Sequence, residues 1–224
     1  MKKLLFALII IFVGIGAYFY FTRPASAPSG DIVGTTENLP SGDSEEEKRY
    51  AVVPNESKAQ FSLYEMLRGE RTHVVGTTGD ITGQVAIDTS TPAEMRIGEI
   101  KINARTLKTD SDQRNGAIAN LILKSGDSSN EYIVFTPTYI NGVPNSIEEG
   151  SEFSFTVTGD LLISGTTQSV TFDATGMLAG DTFSGTAESD IEYKNFGLSI
   201  PNIPFVADVD ETVHLKVTFV AKEV

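Results

Sequence analysis

Phe153-Ser154-Phe155-Thr156-Val157-Thr158, then the turn signal Gly165-Thr166-Thr167, then Val170-Thr171-Phe172-Asp173-Ala174, is the stretch that decides the fold. Apolar and polar side chains alternate on both sides of the turn, the two-residue period of a strand with one buried face. The short spacing between the runs points to an antiparallel hairpin. The same alternation recurs in both directions along the chain. Ala59, Phe61 and Leu63 alternate with Lys58, Gln60 and Ser62. Phe183, Gly185, Ala187, Ser189 and Ile191 form one face of a long strand, and Val213, Leu215, Val217, Phe219 and Ala221 one face of the last. Met95-Ile97 and Ile100-Ile102-Ala104 alternate too, but the phase slips near Gly98, which suggests a bulge. Turn signals at Thr78-Gly79-Asp80, Asn141-Gly142, Val143-Pro144-Asn145 and Gly180-Asp181 separate the runs. An open sheet of this many strands would expose its edges, and closure into a barrel or a sandwich removes them. One segment, 111–122, does not alternate. Asp110, Ser111 and Asp112 are helix-start residues, and Ile118, Leu121 and Ile122 have helical spacing, so one short helix or a pair of turns is expected between two strands.

The N-terminus is of another kind. Lys2-Lys3 precedes an uncharged run of 18 residues, 4–21. As a helix it would be about 27 Å long, close to the roughly 30 Å of a hydrocarbon core. Tyr18, Phe19, Tyr20 and Phe21 at its far end resemble an interfacial aromatic belt, and Lys2 and Lys3 would stay in the cytoplasm. Residues 1–23 are therefore read as a membrane anchor, or as a signal sequence cut after Ala25-Ser26-Ala27, although Pro28 would hinder that cut. Residues 24–49, rich in Pro, Ser, Gly and Glu, read as a disordered spacer in which Glu45-Glu46-Glu47 is a solvated run. Residues 50–224 form the folded domain. The expected location is outside the cytoplasm, held at the membrane by the anchor or secreted if it is cleaved.

Composition removes several functions. The chain of 224 residues has 17 Lys plus Arg against 30 Asp plus Glu, a net charge of −13, and every acid lies at or after Asp31. So acidic a domain repels phosphate backbones, and no nucleic-acid partner is expected. With no cysteine there are no disulfides, thiolate metal sites or cysteine nucleophiles. His73 and His214 lack a partner at ligand spacing, and no Gly-x-Ser-x-Gly elbow or phosphate-binding glycine loop is present. The expectation is a protein that is not an enzyme and uses no metal or cofactor. What the domain does have is phenylalanine. A barrel of about eight strands is just wide enough for one small or slender ligand. Phe61, Phe135, Phe155, Phe172, Phe183, Ile191 and Phe219 are candidates for an apolar lining, with Phe196 and Phe205 near a mouth. Periodicity does not separate a hollow barrel from a filled one.

Three stretches carry a family resemblance: Ile102-Asn103-Ala104-Arg105-Thr106-Leu107-Lys108-Thr109 with Arg114-Asn115 after it, the hairpin Val157 to Val170, and Ile191-Glu192-Tyr193-Lys194-Asn195-Phe196-Gly197-Leu198. In this order they resemble the YceI-like family of polyisoprenoid-binding proteins. The resemblance departs at Asn115, Ala117, Tyr193 and Asn195, where the family commonly has Asp, His, Arg and Asp. It implies an all-β, lipocalin-like antiparallel barrel of about eight strands with one short helix. It also implies an exported protein that holds an isoprenoid or other long-chain lipid. The rival expectation is a membrane-anchored structural or protein-interaction domain with a packed barrel and no ligand. A hydrolase or lyase in such a barrel is the third. Monomer and homodimer both remain open.

Overall fold

The computed structural model describes Leu39, residues 46–200 and residues 206–224. The expected anchor and cleavage site lie outside the described residues. Among the described residues, no helix is long and apolar enough to cross a membrane.

The alternating runs form strands β1 (Glu47–Val52), β2 (Lys58–Leu67), β3 (Glu70–Thr78), β4 (Ile81–Thr82), β5 (Gln84–Asp88), β6 (Arg96–Ile97), β7 (Ile100–Asn103), β8 (Tyr132–Asn141), β9 (Glu152–Ile163), β10 (Thr166–Ala179), β11 (Thr182–Glu192), β12 (Val206–Ala207) and β13 (Thr212–Glu223). All belong to one antiparallel sheet that curls into a half-barrel. The pieces outnumber the expected strands because long strands are interrupted. β1 and β2 both pair with β13, Val52 opposite Ala221 and Ala59 opposite Val217, and are parted by a short 3-10 turn at Pro54–Glu56. Gly83 parts β4 from β5, and Gly98-Glu99 parts β6 from β7, where the phase slip was expected.

The deciding hairpin pairs Phe172 with Val157 and Ala174 with Phe155, so both apolar sets share one face. Its turn is Ser164-Gly165, one residue earlier than expected, with φ of +47° and +81°. Two successive positive φ values match the twist of the flanking strands. Arg68-Gly69, with φ of +53° and +87°, makes the same turn between β2 and β3. Gly79-Asp80 lies between β3, which pairs with β2, and β4, which pairs with β7, and so bends the chain instead of closing a hairpin.

The expected helix is α1 (Asp112–Ala117). The Ser111 hydroxyl accepts from the Arg114 N–H at 3.4 Å, the cap foreseen from its type. The helix then widens into a π turn, Ile118–Ile122, which buries Ile118 and Ala119. β1 begins three residues inside the expected spacer. Glu47 is largely buried and ion-paired with Arg96 and Arg49, so it belongs to the fold and not to a solvated run.

Candidate functional site: an apolar cavity inside the sheet

Strand alternation sends one face of every strand inward, where the side chains leave a cavity of about 160 Å³. Six of the expected lining residues stand on it: Phe61, Phe135, Phe155, Phe172, Phe183 and Phe219. Phe135 and Phe172 meet edge to face at 5.0 Å, and Phe183 and Phe219 are tilted at 5.3 Å. Ile191 and Phe196 do not line it. Ile191 is buried opposite Val213 near the end of β11, and Phe196 is buried in the 3-10 turn Tyr193–Phe196, both as packed core. Phe205 lies outside the described residues.

Much of the wall is aliphatic and was not singled out. Val52, Ile81, Val85, Ile97, Ile100 and Ile133 come from β1 and β4 to β8, and Leu107 comes from the turn after β7. The signal was present in the Ile100-Ile102 alternation, but isolated aliphatics do not announce a lining as aromatics do.

Polar chemistry is nearly absent from the cavity. Gln60 and Lys216 are the polar members of its wall, and both alternate with inward residues, so their side chains stand on the outer face. Lys216 pairs there with Glu188 and holds that carboxyl below the usual carboxylate range, with His214 adding to the effect. His214 Nδ1 lies 2.8 Å from Asp190 Oδ1, half-exposed on the outer face, as its strand position foretold. His73 stacks on Tyr64 at 4.7 Å between ring centroids. Among the described residues no group of three His, Asp or Glu is placed to hold a metal.

The buried charges lie elsewhere. Arg105, in the turn after β7, pairs with Glu131 at 3.3 Å, with both side chains under a tenth exposed. Its Nε donates to the Ser125 carbonyl at 2.6 Å, so it ties the loop after the helix to the sheet. Arg114 of α1 reaches Glu65 of β2 at 3.0 Å and ties the helix to that strand. Three buried side-chain oxygens have no partner among the described residues: Tyr50 Oη, Thr82 Oγ1 and Gln84 Oε1. Burial raises the Tyr50 phenol above its ordinary value.

An antiparallel curled sheet with an apolar interior and a short capped helix narrows the comparison with known proteins. The YceI-like domain family matches residues 50–221. The chain belongs to that family. The structure is similar to that of BcnA from Burkholderia cenocepacia, with a TM-score of 0.59 and 19% identity over 76% of this chain and 99% of that one. It is also similar to a polyisoprenoid-binding domain from Saccharophagus degradans implicated in plant cell wall breakdown, with a TM-score of 0.62 and 13% identity over 78% and 98% of the two chains. The YceI protein of Campylobacter jejuni gives a TM-score of 0.51 and 16% identity over 66% and 84%. At these identities the likeness is one of fold. No curated protein matches the chain.

Proposed function

We propose that this YceI-like protein binds a single slender apolar chain, a polyisoprenoid or a similar long-chain lipid, inside its curled sheet. The observation that carries the reading is the cavity, walled by phenylalanine and aliphatic side chains with its polar neighbours turned outward. Its 160 Å³ is below the roughly 300–1,000 Å³ of a site for a drug-sized molecule, room for a segment of a flexible chain and not for a large rigid ligand. Affinity then comes from buried area, at about 25 cal/mol per Å², and not from any one polar contact. Such a site binds, stores or carries and does no chemistry, so the protein is read as a carrier and not an enzyme. The same reading takes the sheet as a barrel of eight long strands, with β4 and β5, parted by Gly83 alone, carrying the pairing from β1 round to β7. The run at 4–21 and the two lysines before it support a membrane-anchored protein facing away from the cytoplasm.

The test is titration of the folded domain with a fluorescent prenyl alcohol, beside Phe172→Glu. Phe172 is buried, and its ring meets Phe135 across the cavity wall. A carboxylate there is an uncompensated charge in an apolar space, costing several kcal/mol unless water from the cavity reaches it. Saturable uptake by the parent and its loss in the variant are expected. A parent that takes up no prenyl chain leaves the packed interaction module as the better reading.

A further inference from the structure

Five inward-facing glycines each lie against a large apolar side chain. Gly76, Gly83, Gly159, Gly176 and Gly185 all lie outside the left-handed region of φ, so their use is not conformational. What the fold takes from them is the missing Cβ. At Gly76 a Cβ would stand 2.1 Å from Cε1 and 2.4 Å from Cζ of Phe61. At Gly176 it would stand 2.8 Å from Cε2 and Cζ of Phe183. The nearest side-chain atoms at the others are Phe135 at 2.7 Å for Gly159, Phe219 at 3.0 Å for Gly185, and Ile100 at 2.3 Å for Gly83. All five of these neighbours line the cavity.

We propose that these glycines set the bore of the cavity and so its selectivity for a slender chain. Each leaves a flat place on the inner wall where a large side chain lies down instead of standing into the void. Phe61 lies over its direct register partner Gly76 on β3. Gly176 and Gly185 are themselves partners, flanked by Phe153 on β9 and Phe219 on β13, which makes one row of four inward positions with glycines at its centre. Phenylalanines standing upright on both sides of that row would meet across the interior. The void is visible without any ligand. Only the assignment of its width to chain selectivity rests on the proposed function.

Gly159 and Gly185 also lie within 2.5 Å and 1.9 Å of backbone oxygens, Thr136 O and Thr175 O, measured from a Cβ, so a side chain there would break the sheet. At Gly76 and Gly176 the three nearest atoms all belong to rings, which makes these the test positions. The experiment compares the parent with Gly76→Ala, Gly176→Ala and the double variant Gly76→Ala/Phe61→Leu. Readouts are the melting temperature, the affinity for geranylgeraniol, and the volume change of pressure unfolding in lipid-free protein, which scales with internal void. If the rings swing into an open bore, both single variants melt within about 5 °C of the parent. Their affinity falls by about tenfold or more, their unfolding volume becomes less negative, and Phe61→Leu restores the affinity. A larger drop in melting temperature would mean that the rings have no bore to enter, and unchanged affinity and volume would mean that the glycines do not set it. Either result overturns the inference. If the parent binds no geranylgeraniol, the volumes still decide the bore, and the function reading alone falls.

Discussion

Truncation of Phe183 to alanine tests the packing of the cavity wall. Phe183 is fully buried, and its ring centroid lies 5.3 Å from that of Phe219, 6.2 Å from Tyr50 and 6.3 Å from Phe153. A buried Phe→Ala change costs about 3–5 kcal/mol, and the cost grows when neighbours cannot collapse into the space. Those three rings stand on paired strands that hold them in place, so they close little of the space, and about 4 kcal/mol is expected. For a domain of this size each kcal/mol moves the melting temperature by roughly 2–4 °C, giving a fall of about 8–16 °C. Phe61 is the comparison. It is only partly buried and one side of its ring faces the void, so Phe61→Ala should cost about half as much, near 2 kcal/mol. Far-UV circular dichroism, followed through heat and guanidinium, suits a chain without tryptophan. Equal losses at the two positions, or a loss at Phe183 under about 2 kcal/mol, would refute the picture of a wall ring packed among three others and one that is only partly covered.

Tyr50→Phe removes a buried hydroxyl that has no partner among the described residues and should stabilise the fold by about 1 kcal/mol. Because burial raises that phenol, its proton is held more tightly in the folded state. The parent should therefore keep this stability below about pH 10 and lose it as pH rises through the folded value, and the variant's alkaline limb should be flatter, as read by melts between about pH 7 and 11. Glu131→Ala leaves the Arg105 guanidinium buried without its carboxylate and should cost about 3–5 kcal/mol in denaturant, whereas a cost under about 1 would show the pair to be incidental. In calorimetric titration with prenyl alcohols of increasing length, each added five-carbon unit should strengthen binding by up to about 4 kcal/mol, at about 0.8 kcal/mol per buried carbon, until the cavity is full and the gain stops.

The fold was legible where one face is buried and the other wet. The runs of Phe153 to Val157, Phe183 to Ile191 and Val213 to Ala221 fell into strands as their period required, and Ser111 capped the helix expected after it. The breaks within strands were less legible. Pro54 and Gly83 interrupt long strands without reversing the chain, and β12 is only two residues long. In the site, aromatic residues on strand faces were found, but position along the strand was not. Ile191 shares the face of Phe183 yet lies toward the end of β11, where the interior is filled. Phe196 stands in a turn that folds it into the core. Glu47 looked like part of a solvated acidic run, because its partner Arg96 is distant in sequence and meets it only through the pairing of β1 with β5 and β5 with β6.

Native mass spectrometry of the protein purified without detergent tests lipid binding most directly. A bound mass in the range of a chain lipid is expected, lost on organic extraction and regained when geranylgeraniol is added. A bare protein that stays bare after incubation with geranylgeraniol would contradict a lipid-holding cavity.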